Sequence, residues 1–182
     1  MSIRTQRYDR VARLLHWLIG VALIAQMAFG FVLDDIAPRG TSSRAAVINL
    51  HKSVGVALAV LIALRIVWRL RHRPAAWSAS MSASQRRAAR IGHAALYVCM
   101  AVMPLSGYGA SNFSRHGIRL FGLALRPWGP DWPAVYATLN LVHVTTAWLF
   151  AALIAGHVLF ALKHALADRD RRLARDATSA AP

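Results

Sequence analysis

Histidine is the residue type with the clearest chemical potential in this sequence of 182 residues, which holds eight histidines, one cysteine and no glutamate. A neutral imidazole can ligate a metal ion, and the same ring can carry a proton near neutral pH. The single cysteine, Cys99, excludes an intramolecular disulfide and any cysteine-based zinc or iron–sulfur site. Which histidines act together depends on the elements that carry them.

Long apolar stretches make up most of the chain, which is 57% hydrophobic and only 16% charged. A bilayer core of about 30 Å needs roughly 20 apolar residues in a helix. Four stretches meet that requirement, namely residues 14–33, 45–70, 91–110 and 137–166. We therefore predict an all-α fold, a transmembrane four-helix bundle over residues 14–166. An N-terminal segment (1–13) precedes it and a disordered tail (167–182) follows it.

The basic residues are distributed unevenly along these spans. Of 22 Lys and Arg, 16 lie towards the side of the two termini, and six lie towards the other side. Positive residues collect on the cytoplasmic face, so we expect both termini to be cytoplasmic. The net charge of +15 is then explained by membrane topology, and nucleic-acid binding is not expected.

Four histidines fall at two depths of the predicted bundle. His16 lies near the cytoplasmic end of the first span, whereas His51 and His143 lie near the outer ends of the second and fourth. His157 follows His143 by 14 residues, which is roughly 21 Å deeper. Fourteen residues are also only about 40° short of four full turns, so both side chains face the same way. The spacing predicts two pairs, His16 with His157 and His51 with His143.

Two imidazoles that face each other across a bundle can fill both axial positions of a haem iron. Zinc requires three or four ligands around one point, so a pair at each level does not suit it. The sequence has no Cys-x-x-Cys-His motif for covalent attachment, and we therefore expect two haem b groups.

Small and basic residues near these histidines have two interpretations each. Gly20 and Gly55 stand one turn after a paired histidine, where they either make room for a porphyrin or serve helix packing. Arg65 lies at the cytoplasmic level, where it either pairs with a haem propionate or extends to the interface. At the outer level, Lys52 and Arg44 either pair with a propionate or attract an anionic small molecule.

With these residues in place, the chain resembles the prokaryotic cytochrome b561 family, dihaem four-helix membrane proteins related to the cytochrome b subunits of nickel–iron hydrogenases. The resemblance covers residues 8–170 and rests on Arg13-x-x-His16-Trp17, His51-x-x-x-Gly55, Arg65-x-x-Trp68-Arg69, His93…Tyr97…Pro104…Gly107 and His143…His157…Lys163-His164. It implies a multi-pass protein of the bacterial inner (plasma) membrane whose four paired histidines bind haem iron.

The resemblance also implies electron transfer across the inner membrane, to or from the ubiquinone pool. One family member is a superoxide oxidase, which makes superoxide:ubiquinone oxidoreduction a specific version of this function. The basic outer residues that could steer superoxide are Lys52, Arg115, Arg119 and Arg126. The alternative is a haem-containing membrane anchor that connects a larger oxidoreductase, as redox partner protein, to quinone.

Two further histidines keep open roles. His93 begins the third span at the cytoplasmic level, where it could contact a propionate or quinone, or act as a third candidate ligand for the inner haem. His164 lies seven residues beyond His157 and either hydrogen-bonds a quinone carbonyl or lies among lipid headgroups.

Overall fold

The structure, a computed structural model, describes residues 10–72 and 81–179, without the side chains of residues 164 and 167–179. Its long helices are α1 (Arg10–Phe31), α3 (Arg44–Arg71), α4 (Ala83–Asn112) and α5 (Pro133–Ser179). The short helix α2 (Leu33–Ile36) follows α1, and the strands β1 (Ile118–Leu120) and β2 (Leu123–Leu125) lie between α4 and α5.

Each long helix is long and apolar enough to cross a membrane; in α5 the crossing stretch is Pro133–Lys163. Large apolar side chains cover the outside of the bundle, and Trp17, Leu64 and Leu159 are all more than half exposed. Such a surface requires lipid around it. The prediction of an all-α bundle of four spans is confirmed, while the side of the membrane that each end faces stays a prediction.

The helices pack as a chain of neighbours, with α3 between α1 and α4, and α5 against α4. Along α1 the buried residues are Ile19, Leu23 and Met27, each one turn after the last, as a helix packed on one face requires. They meet residues from the other three helices in one apolar core, namely Leu58, Ile62, Cys99, Met100 and Phe150. We call the end of the bundle where α1 starts the basic end, and the end with the two strands the hairpin end.

Helix α4 begins at Ala83, eight residues before the predicted start of the third span. A capping box explains the early start. The Ser82 hydroxyl accepts a hydrogen bond from the Gln85 N–H at 3.2 Å, and the Gln85 side-chain oxygen accepts one from the Ser82 N–H at 2.8 Å. These bonds satisfy backbone donors that a helix start otherwise leaves unpaired.

Helix α5 continues to Ser179, beyond the predicted span end at residue 166. The backbone here differs from the disordered tail that the sequence led us to expect. Residues 167–179 hold neither glycine nor proline and are rich in alanine and arginine, which favour helix once a preceding helix has nucleated it. Residues 180–182 lie outside the described part of the chain.

The connection between α4 and α5 forms a β-hairpin that the sequence analysis did not predict. Ile118 pairs with Leu125 and Leu120 with Leu123 in antiparallel register. The two turn residues, Phe121 and Gly122, have φ angles of 47° and 98°. Positive φ at both positions is what a two-residue type I′ turn demands, and phenylalanine seldom supplies it.

Polar side chains of α3 hold this hairpin against the bundle. The Ser53 hydroxyl accepts a hydrogen bond from the Phe121 N–H at 3.0 Å and lies 3.0 Å from the Arg119 carbonyl oxygen. The side-chain oxygen of Asn49 accepts one from the Arg119 N–H at 3.0 Å. Lys52 donates to the Gly117 carbonyl at 2.8 Å. The α3 residues that hold the hairpin, Asn49, Lys52 and Ser53, therefore flank His51 in the sequence.

Replacing Ser53 with alanine should loosen the hairpin, because the Phe121 N–H loses the buried hydroxyl that accepts its hydrogen bond, at a cost of about 0.5–1.5 kcal/mol. Hydrogen–deuterium exchange of the purified protein would show faster exchange at Arg119 and Phe121. Thr138→Ala is the matched control, since that exposed hydroxyl bonds only the Ala134 carbonyl of its own helix. Equal exchange at the hairpin in both variants would contradict the assignment.

Candidate functional site

At the basic end, a histidine of α1 faces one of α5. The ring centroids of His16 and His157 lie 6.2 Å apart, and the ring planes are inclined by 82°. The two residues come from the first and last helices, which the packing order does not make close neighbours. The rings therefore meet across a gap between helices.

At the hairpin end, α5 provides the second ring of another pair. The centroids of His51 in α3 and His143 in α5 lie 6.3 Å apart, with an interplanar angle of 86°. Both rings are half-buried. The two pairs are thus nearly the same in separation and inclination although they come from different helices.

This spacing suits one iron between the rings of each pair. Two imidazoles whose centroids lie 6.2 or 6.3 Å apart leave room for one metal ion that would be bound by a nitrogen of each ring. Within the described residues, no group of three or more His, Cys, Asp or Glu side chains could hold a metal ion. Each pair therefore offers the two donors that a bis-histidine haem needs.

The apolar core lies between the two pairs along the bundle. Phe150 is 1% exposed and stands seven residues from both His143 and His157 on α5. Seven residues are nearly two helical turns, or about 10.5 Å along the axis. The two histidine levels are therefore separated by packed apolar side chains.

The ring of His143 is held by polar groups of α4. Its Nδ1 lies 2.9 Å from the backbone carbonyl oxygen of Met103 in α4, and 3.4 Å from the Ser106 hydroxyl. A carbonyl can only accept, so this contact places the ring proton on Nδ1 and leaves Nε2 with a lone pair. A histidine in that state is ready to bind a metal through Nε2.

The ring of His51 is held by α1. The Gln26 side-chain nitrogen lies 3.1 Å from His51 Nδ1 and donates to the His51 carbonyl oxygen at 2.7 Å. Phe29 stacks on the ring at a centroid distance of 6.0 Å. The sequence analysis did not identify Gln26, although an amide within an apolar span marks a position that needs a polar partner.

Arg65 reaches the basic-end pair from α3. Its guanidinium lies 3.3 Å from His16 Nδ1 and donates to the Ala12 carbonyl oxygen at 3.2 Å. A guanidinium can only donate, so Nδ1 of His16 accepts in this arrangement. Neutral His16 can ligate a metal through Nε2 only if Nδ1 carries the proton, which requires Arg65 to release the ring.

Two glycines other than those that the sequence analysis proposed lie against the rings, and the porphyrin role of Gly20 and Gly55 stays a prediction. A Cβ on Gly20 would meet no atom within 4 Å, and one on Gly55 would face the Gln26 amide at 3.6 Å. Instead, a Cβ on Gly30 would lie 3.0 Å from Cε1 of His51, and one on Gly107 would lie 2.9 Å from Cε1 of His143. Applying the depth argument to glycines of neighbouring helices would have found both.

Of the four remaining candidates, the structure describes the side chains of His93, Lys52 and Arg44. The His93 ring stands 5.4 Å from that of His157, so three imidazoles gather at the basic end. The side chain of His164 lies outside the described part of the structure. Lys52 and Arg44 are engaged by protein groups, Lys52 with the Gly117 carbonyl and Arg44 with Asp34 at 2.8 Å.

Comparison with known proteins agrees with this arrangement. A family model described as prokaryotic cytochrome b561 matches residues 7–175. Over 181 residues, the chain is 30% identical to cytochrome b561 homolog 2 of Escherichia coli (strain K12), covering 93% of this chain and 90% of that protein. It is 25% identical over 169 residues to cytochrome b561 homolog 1 of the same organism, covering 93% and 96%.

The match extends over all four apolar helices and both histidine pairs, and it leaves out only a few residues at each terminus. The protein therefore belongs to the prokaryotic cytochrome b561 family of membrane electron-transfer proteins, and this membership implies that it binds b-type haem.

Proposed function

We propose that the protein is a dihaem b-type cytochrome that transfers single electrons across the bacterial inner membrane, to or from the ubiquinone pool. The observation that supports this most strongly is the pair of histidine couples, at centroid distances of 6.2 and 6.3 Å, on two levels of one bundle. Haem iron would supply reversible one-electron chemistry, and binding by two histidines would favour electron transfer over oxygen chemistry.

The chain's own residues perform three tasks in this proposal. His16 and His157 hold one haem, and His51 and His143 hold the other. The core around Phe150 keeps water from the space between the levels. Arg65, once it releases the His16 ring, brings a cation to the basic-end haem, where a propionate is the natural partner.

The basic end offers quinone a route from the bilayer. Trp17 is 68% exposed on the outside of the bundle, and its ring centroid lies 5.5 Å from that of His16. His93 lies on the other side of the same pair, next to His157. A lipid-soluble quinone could therefore approach the basic-end pair sideways, without passing through the protein.

The hairpin end offers an anionic donor a different approach. A cleft of about 330 Å³ beside the hairpin is lined by Arg115, His116, Arg119 and Arg126. No acidic side chain lines it, so its field attracts anions. Superoxide is the small donor that we propose, and the cleft adjoins α3 next to His51 through the Ser53 contact with Arg119.

Purified protein should contain two haem b groups per chain by pyridine-haemochrome quantitation. Changing His16 or His157 to alanine should remove the basic-end haem, and changing His51 or His143 should remove the other, because each haem loses an axial ligand. His116→Ala, in the exposed cleft, is the control and should retain both. The pairing is wrong if His93→Ala removes a haem while His16→Ala does not.

Gly107→Ala should weaken the hairpin-end haem, since the new methyl group would lie 2.9 Å from the His143 ring and force it to move. Overpacking of this kind costs about 1–3 kcal/mol. Haem content and the reduced-minus-oxidised spectrum measure the effect. Gly92→Ala in the same helix is the control, because nothing lies within 4 Å of its Cβ. Full haem content in both variants would contradict the close approach.

Superoxide supplied to purified protein should reduce ubiquinone, and replacing Arg115, Arg119 and Arg126 with glutamine should slow the reaction. The wild-type rate should also fall as salt is added, because exposed charges are screened over about 10 Å at 0.1 M. Stopped-flow absorbance measures both effects. An unchanged rate in the triple variant would exclude the cleft as the donor site.

The same assay tests the alternative function. Quinone reduction that occurs only with a co-purified catalytic subunit would support an anchor role.

A further inference from the structure

Gln26 is a polar side chain in an apolar helix, and both groups it touches belong to one histidine of another helix. It is the single non-aromatic polar residue between His16 and Asp34. Its nitrogen lies 2.7 Å from the His51 carbonyl oxygen and 3.1 Å from His51 Nδ1. An amide within a membrane span costs free energy unless it is hydrogen-bonded, so this placement needs a reason beyond packing.

Helix α1 and two glycines shape the space around this contact. Gly55, one turn after His51, lies beside the amide, and a Cβ there would stand at an ordinary contact distance of 3.6 Å from the Gln26 nitrogen. Gly30, one turn after Gln26, lets the two helices approach at the Cε1 side of the ring. The ring of His51 therefore contacts α1 through Gln26 on its Nδ1 side and Gly30 beside it.

The two rings of the hairpin-end pair differ in what faces Nδ1. His143 faces the Met103 carbonyl, which can only accept a hydrogen bond. His51 faces an amide whose nitrogen also donates to the His51 carbonyl oxygen at 2.7 Å. For the amide oxygen to accept a hydrogen bond from Nδ1, the side chain must turn over, move away from that carbonyl and give up this bond. A histidine that ligates a metal through Nε2 carries its proton on Nδ1 and needs an acceptor there.

We propose that Gln26 is a positioning residue for the His51 ligand: its side-chain oxygen accepts the Nδ1–H of His51 in the haem-bound protein, fixes the ring and strengthens it as a ligand. This inference rests on the proposed dihaem function. An acceptor on Nδ1 increases the electron donation of the imidazole, which favours the ferric iron and lowers the midpoint potential of the haem.

The test is a redox titration of the hairpin-end haem alone. In a His16→Ala background that haem is the one retained, so its midpoint potential is measured without overlap. Adding Gln26→Met, which keeps the side-chain length and removes the acceptor, should raise that potential. The expected change in the ferric-to-ferrous ratio is about tenfold, which for a one-electron couple is about 59 mV.

Two comparisons separate positioning from a merely structural role. Gln26→Glu keeps an acceptor oxygen and should leave the potential at or below that of the parent protein. Met27→Leu, the neighbouring residue in the apolar core, is the matched control and should leave it unchanged.

The proposal is overturned if the midpoint potential in Gln26→Met is unchanged or lower than in the parent protein. It is also overturned if the potential rises by the same amount in Gln26→Glu as in Gln26→Met. If Gln26→Met loses the haem, its retention in Gln26→Glu supports the proposal and its loss in both variants overturns it. Failure of the dihaem function itself would be distinguishable, since His16→Ala protein would then not contain a single haem b.

Discussion

Helix α5 is the element on which both histidine pairs depend, because it contributes one ring to each. His143 and His157 face the same side since 14 residues amount to nearly four whole turns. That register survives only in an uninterrupted helix, and α5 contains no proline after Pro133. The partners come from α1 and α3, which run in opposite directions, so a histidine near the start of each lies at opposite ends of the bundle. The two histidine levels therefore result from the opposite directions of α1 and α3, and not from an internal repeat.

The interior of the bundle is narrow, and its outside is apolar. The core consists of a few side chains from each helix along the seam between the levels. Many large apolar residues point outward instead, which makes lipid part of what holds the helices in place. A bundle of this kind does not need a wide core, and it leaves a gap between α5 and the helices that face it. The histidine rings meet in that gap.

The positions of the histidines along the bundle could be predicted because helical rise and turn are nearly fixed. The start of α4 was missed because the capping box at Ser82 and Gln85 was not recognised behind a polar, serine-rich stretch. The hairpin could not be predicted from its strands, which have three residues each, or from a turn that places Phe121 at positive φ. Gly30 and Gly107 were missed because glycines were sought one turn from each histidine on its own helix. The space around a ring depends on the helix that packs against it, and the sequence alone does not show which residues of that helix face the ring.

The four paired histidines have the same side chain, but their surroundings differ. The structure describes the contact at Nδ1 for three of them, and each of the three has a different neighbour at that atom. His143 faces a backbone carbonyl, His51 an amide, and His16 a guanidinium. A carbonyl increases the basicity of an imidazole ligand, whereas a nearby cation opposes positive charge on the metal. In the proposed dihaem protein Arg65 must first release the His16 ring, but its charge would stay near the basic-end haem. That haem would therefore be reduced more readily than the haem beside Met103. Electrons would then pass downhill from the hairpin end to the basic end, where we propose that quinone approaches. The same ligand chemistry at both levels thus acquires a direction from the residues behind the ligands.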